Sequence, residues 1–281
     1  MDHPTPPANA KKAFTEDPAS NSTSANVTLA GRDVTAFVLA GGESRRMGRD
    51  KALLTLRSGE TMLGRALATS KEAAGTVVLV APAGRYPELQ GRVRMIQDVY
   101  PGRGPLSGIH AALCVSETEW NIILGVDSPR VTPELLRFLM ATAAGTAALA
   151  VVPRVEGRLH TVCAVYKKSF AQAAERELLA GREHLPGTGD AFNDPFNPED
   201  ARRGSPRRDG DVGQGPRRGT RIERLLAGVP SRILEEDELR DAGFGAELFA
   251  NVNTPEEFAK LSSASEGRDV TSGLAPRSGK D

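Results

Sequence analysis

Short apolar runs rich in Val, Ile and Leu alternate along this chain with segments of helical period, and that alternation limits the fold more than any other feature of the sequence. Strands that are apolar on both faces must be covered on both sides, and joining them through helices produces a largely parallel sheet with a helical layer on each face. The pattern predicts strands over 35–39, 77–80, 94–97, 121–126, 148–152 and 161–166. Helices are predicted over 62–73, 106–115, 133–143, 168–179 and 222–227. Thr132-Pro133 supplies an N-cap and a first-turn proline, and Thr254-Pro255-Glu256-Glu257 reads as a capping box opening a further helix.

The 281 residues suffice for one large α/β domain, expected over 33–261. Residues 1–32 and 262–281 are poor in large apolar groups and are expected to be disordered tails; 184–219, dominated by Gly, Pro, Arg and Asp, reads as a disordered insertion. Lys plus Arg and Asp plus Glu both number 36, so no global field favours nucleic acid or an anionic membrane, and any attraction for phosphate must be local. Cys114 and Cys163, each among apolar neighbours, match neither a disulfide framework nor metal spacing and are expected to be buried thiols. No run reaches the ~18 apolar residues of a membrane span. The N-terminal stretch lacks the apolar centre of a signal peptide, so a cytoplasmic protein is expected.

Within this frame the stretch LAGGESRRMGRDK, Leu39 to Lys51, leaves the carboxyl end of the first strand as a flexible, strongly basic loop. Such a place is where open α/β sheets bind ligands. Gly41 and Gly42 let backbone N–H groups approach phosphate oxygens, and Arg45, Arg46, Arg49 and Lys51 bring cationic donors. The loop is neither a P-loop, since Lys51 follows Asp50 and precedes Ala52, nor a dinucleotide fingerprint, since Glu43 breaks the glycine spacing.

Two carboxylates follow. Asp98 ends the run VRMIQD ahead of a glycine and proline loop, which reads equally as a plain turn and as a seat for a flat base. Asp127 ends the apolar strand WNIILGV, level with the basic loop, where it would either cap the turn at Ser128-Pro129 or bind magnesium together with substrate phosphates.

The order of Leu39-Ala40-Gly41-Gly42, Ser44, Arg46-Met47-Gly48 and Asp50-Lys51-Ala52-Leu53-Leu54 resembles the signature loop of nucleotidyltransferases, and more narrowly that of the molybdenum cofactor guanylyltransferase family. Asp98, Pro101 with Gly104-Pro105-Leu106-Ser107-Gly108, Asp127-Ser128-Pro129, HTVCAVY and Asn251-Val252-Asn253-Thr254-Pro255-Glu256-Glu257 extend the likeness over about 35–261. The resemblance implies a three-layer αβα, Rossmann-like nucleotidyltransferase fold with a mostly parallel sheet. It also implies Mg2+-dependent transfer of GMP from GTP to Mo-molybdopterin, with release of pyrophosphate. In that picture Leu39, Ala40 and Gly41 contact the nucleotide through backbone, Arg46 and Lys51 hold phosphates, Asp98 helps hold the nucleoside and Asp127 binds magnesium. Molybdoenzyme maturation proteins are the partners it suggests beyond the two substrates, with no nucleic acid and no membrane.

Two positions depart from the family pattern. Val80 stands where many relatives carry an asparagine near the nucleotide, and Thr161 where proline is frequent. His160 lies toward the expected acceptor side, while Asn251 and Asn253 suit either a pterin contact or the cap of the helix opening at Thr254. His110 and Trp120 read as packing residues. The alternatives to a guanylyltransferase are a cytidylyltransferase of the same cofactor, a sugar-phosphate nucleotidyltransferase, and a non-catalytic nucleotide-binding module.

Overall fold

A computed structural model describes residues 34–41, 50–180 and 220–263. In chain order its elements are β1 (Thr35–Leu39), α1 (Met62–Ala73), β2 (Thr76–Val80), β3 (Arg94–Ile96), α2 (Pro105–Val115), β4 (Trp120–Gly125), α3 (Pro133–Ala144), β5 (Ala150–Val155), β6 (Arg158–Leu159), β7 (Cys163–Lys167), α4 (Phe170–Ala180), α5 (Arg221–Gly228), β8 (Ser231–Leu234), α6 (Glu236–Asp241) and α7 (Pro255–Ser263). Single 3-10 turns stand at Lys51–Leu53, Pro87–Leu89 and Ala246–Phe249.

The strands form one sheet in the order β3-β2-β1-β4-β7-β5-β6, with β8 added alongside β5. β1 pairs in parallel with β2 and β4, β2 with β3 and β5 with β8, while β7 runs against both β4 and β5. The expected mostly parallel sheet is therefore present, with β7 and the short β6 reversed. Side chains of β1 alternate between two cores: Ala36 and Val38 face α1 and α3, and Phe37 faces α2 and α4. The same period of two divides β4, whose Ile122 and Leu124 join the first core and whose Ile123 joins the second. Strands buried on both faces carry no polar alternation, which is why their sequences read as unbroken apolar runs.

The chain passes from β1 through α1 to β2 on one side, and returns from β3 through α2 to β4 on the other side of β1. The carboxyl ends of β1 and β4 thus flank a topological switch point, the usual ligand crevice of an open α/β sheet. Leu39 and Gly125 are register partners there, and Val126 N donates to Leu39 O at 3.2 Å.

Helix starts follow the sequence signals. Thr61 and Thr132 accept hydrogen bonds from Gly64 N (3.0 Å) and Leu135 N (3.4 Å), and Pro105 and Pro133 occupy first-turn positions. Gly104 precedes α2 at φ +76°, a value that would strain a residue carrying a Cβ.

The strand boundaries around β5 and β7 shift by up to three residues from expectation. β8 and α6 were not predicted, because SRIL is too short to show a period and becomes a strand by pairing with β5. α7 runs to Ser263, two residues into the expected tail; the rest of that tail, residues 1–32 and the 184–219 insertion lie outside the described residues. Cys163 is buried as expected, and burial pushes its thiol up to about 12. Cys114 corrects the sequence reading: it is exposed, because the helical period carries it off the face that packs α2 against the sheet and α4. Trp120 packs in the first core, and His110 is buried with its ring 5.4 Å from that of Tyr100. Among the described residues no helix is long and apolar enough to cross a membrane.

One buried polar group ties the centre of the sheet to the turn before it. Asn121, fully buried in β4, accepts from Ser116 Oγ (2.5 Å) and Thr118 Oγ1 (2.9 Å) and donates to the carbonyls of Thr118 (3.2 Å) and Tyr166 (3.4 Å). Asn121→Ala strands these partners, so denaturant titration is expected to show a loss of about 2 kcal/mol with an unchanged slope.

Candidate active site

Because β1, β2, β3 and β4 run in one direction, the segments after them emerge along the same edge of the sheet. Leu39, Ala40 and Gly41 leave β1 there, Asp98 follows β3, and Asp127 follows β4. The strands that Asp98 and Asp127 follow, β3 and β4, stand three strand spacings apart, about 14 Å, with β2 and β1 between them.

Lys51 reaches this edge from the first residue of its 3-10 turn. Its Nζ donates to Asp127 Oδ2 at 3.2 Å and to Asn253 Oδ1 at 3.3 Å, across 76 and 202 residues of sequence. The Lys51 and Asp127 side chains are 16% and 19% exposed, sheltered enough to strengthen the interaction yet open to an incoming ligand. The turn is held by Asp50, whose Oδ1 accepts from Ala52 N at 3.1 Å.

Asp127 is located by its backbone as well as by Lys51. Its carbonyl accepts from Val252 N at 2.8 Å, and the neighbouring Ser128 Oγ donates to Asn251 Oδ1 at 2.9 Å. The segment Asn251–Asn253 is thereby clasped to the end of β4. The helix that follows is capped by other groups: Glu257 Oε2 accepts from the amides of Asn253 (2.6 Å) and Thr254 (3.1 Å), and Thr254 Oγ1 accepts from Glu257 N (3.2 Å). The asparagine side chains therefore do not cap the helix; that of Asn253 meets Lys51 and that of Asn251 meets Ser128. Nothing in the sequence tied Asn253 to Lys51, because only the fold brings the two segments together.

Of the residues singled out from the sequence, Leu39, Ala40, Gly41, Lys51, Asp98 and Asp127 share this edge, whereas Gly42 and Arg46 lie outside the described residues. The Asp127 carboxylate faces Lys51. Asp98 Oδ1 accepts from Tyr100 N at 2.8 Å, a local turn that orients the carboxylate and organises the following loop. His160 lies close enough to feel the Asp127 charge and packs against Phe249 with the rings tilted by 54° and their centroids 4.9 Å apart; burial, reinforced by Arg158, holds its imidazole below the usual histidine range. Val80 is buried in the core beside Leu106 and Ile109 and offers the edge no polar group.

The donor set suits a hard divalent cation that arrives with a polyphosphate. Among the described residues no three His, Cys, Asp or Glu side chains converge into a protein cage, but one carboxylate suffices when phosphates complete the shell. Asp127, at the switch point, is the carboxylate that could fill this place.

Residues 36–186 match the MobA-like NTP transferase domain family. A protein of Pelotomaculum thermopropionicum named "Probable molybdenum cofactor guanylyltransferase" is 38% identical over 148 residues, covering 52% of this chain and 69% of the relative. Among solved structures, molybdopterin-guanine dinucleotide biosynthesis protein A of Archaeoglobus fulgidus superposes with a TM-score of 0.60 at 22% identity, over 81% of this chain and 96% of that one. A Mycobacterium tuberculosis protein, Rv0371c, solved in complex with manganese, gives a TM-score of 0.51 at 16% identity, over 83% and 99% of the two chains.

Gly125 sets the space available to Asp127. A Cβ at Gly125 would lie 2.5 Å from Asp127 Oδ1 and 2.9 Å from Val162 Cγ2. Gly125→Ala is expected to displace the Asp127 carboxylate and Val162 and to cost about 1–3 kcal/mol, read by denaturant titration.

Proposed function

From a chain that belongs to the MobA-like NTP transferase domain family, we propose a molybdenum cofactor guanylyltransferase that moves GMP from GTP to Mo-molybdopterin and releases pyrophosphate. The observation that carries this reading is the meeting of Lys51 and Asp127 at the switch point, with Asp98 farther along the same edge.

The arrangement suits a nucleotide laid along the sheet edge. Asp98 and the backbone of Leu39, Ala40 and Gly41 hold the nucleoside, while Lys51 and Arg46 hold the phosphates. A divalent ion on Asp127, magnesium in this reading, would offset charge on the α-phosphate and the departing pyrophosphate. The manganese complex of the Mycobacterium tuberculosis neighbour supports divalent metal use in proteins of this fold.

In the reaction a phosphate oxygen of the acceptor attacks the α-phosphorus in line; the new P–O bond forms as the bond to the β-phosphate oxygen breaks and the electron pair leaves with pyrophosphate. The attacking oxygen is already anionic, so no side chain need remove a proton. Lys51 contributes by neutralising charge and fixing the phosphates in line, the two effects that dominate phosphoryl transfer. Its ion pair with Asp127 keeps the ammonium aimed at the strand edge before the nucleotide arrives, which removes part of the cost of alignment.

Val80 favours one second reading, another base in place of guanine, because the strand end carries no amide to contact the ring. With Mg2+ and molybdopterin acceptor, pyrophosphate release is expected to run at least about tenfold faster from GTP than from CTP, ATP or UTP; a preference for CTP would transfer the assignment to a cytidylyltransferase. Lys51→Ala and Asp127→Ala are each expected to lower that rate by about a thousandfold while the melting temperature stays within a few degrees. Near-normal rates in either folded variant would overturn the residue assignment.

A further inference from the structure

The 3-10 turn that carries Lys51 is braced by the segment that follows β2. Arg85 Nε and Nη2 both lie 2.9 Å from Asp50 Oδ2, and the Tyr86 hydroxyl donates to the same oxygen at 3.0 Å. Asp50 is thus shared: one carboxylate oxygen holds the amide of Ala52 within the turn, and the other is held by two residues from the segment after β2. The Tyr86 hydroxyl also lies 3.4 Å from the carbonyl oxygen of Ala40, directly after β1. A single phenol therefore touches the chain at Ala40 and at Asp50, on both flanks of the glycine and arginine stretch.

Tyr86 holds this place in an unfavourable backbone conformation, φ +60° and ψ +55°, while its ring is buried. Bulky residues rarely occupy the left-handed region, and where they do the surroundings usually hold a side chain in a required position. Here that side chain is a donor: burial first, and the nearby Asp50 second, push the phenol above its usual range, so it stays protonated. Arg85 answers a separate need. Asp50 is the immediate neighbour of Lys51, and an uncompensated carboxylate there would draw the ammonium away from Asp127 and repel a polyphosphate.

We propose that Arg85 and Tyr86 are positioning residues for Lys51, acting through Asp50 to fix its turn and to cancel the one negative charge beside it in sequence. Their polar contacts are with Asp50 and Ala40, so the role assigned to them is to position and not to react. The proposal rests on the nucleotidyltransferase reading and concerns the same site.

A double-mutant cycle on the full chain tests it, with GTP affinity from calorimetry and kcat and KM from pyrophosphate release. Tyr86→Phe keeps the ring and Arg85→Gln removes the charge; each is expected to weaken GTP binding and kcat/KM by about tenfold with little change in melting temperature. In a Lys51→Ala background the same substitutions are expected to change GTP affinity by less than about twofold, because the residue they act through is gone. Arg85→Lys, which restores charge without the fork, is expected to recover part of the loss. Equal losses with and without Lys51, or wild-type behaviour in both single variants, would overturn the positioning role while leaving the nucleotidyltransferase reading intact. A wild-type protein that binds no nucleoside triphosphate would overturn that reading, and this proposal with it.

Discussion

The contact between the Lys51 ammonium and the Asp127 carboxylate, 3.2 Å apart above the ends of two adjacent parallel strands, is the constraint around which the site is organised. As a source of stability it is weak, because removing two charges from water offsets much of their attraction. Its value is positional. In the proposed function, a cation for phosphate and an acidic group for a divalent ion are brought to the same place and kept partly open to solvent, so that a ligand bearing both phosphate and metal can enter between them.

The surrounding structure serves to keep those two groups still. β1 and β4 are register partners, so the chain segments leaving them are fixed to within one strand spacing. Gly125 leaves room for the Asp127 carboxylate to fold back over the strand end, and Val252 and Asn251 clasp the turn from a segment more than a hundred residues later. On the other side Asp50, Arg85 and Tyr86 brace the turn that presents Lys51. The turns of Lys51 and Asp127 are thus braced from different sides, and the segment Asn251–Asn253 touches both.

Much of this architecture was legible before any coordinates. The apolar runs of β1, β2 and β4 are continuous because both faces are covered, and they identify themselves as interior parallel strands. Thr132 and Thr254 announce helix starts because the capping chemistry is local. The elements that escaped notice are those whose identity comes from a distant partner. β8 is a strand because β5 lies beside it, β7 is reversed because it returns through the β6 hairpin, and Cys114 is exposed because the helix turns it away from the packed face. In the site the same division holds: Lys51 and Asp127 stood out by residue type and position, and Asn253 by its motif, whereas the partner of Asn253 and the places of Arg85 and Tyr86 did not, since these consist only of what they touch.

By itself, the amino-acid sequence determined the layered α/β architecture, the strand ends at which chemistry would be found, and the residue types suited to phosphate and a hard cation. These follow from periodicity and from local chemistry, which act over a few residues. Tertiary structure alone decided which of those groups meet. Strand order and register place Lys51, Asp127 and Asn253 within hydrogen-bonding distance across 76 and 202 residues, a proximity set by the packing of the whole sheet and by no local preference of the chain.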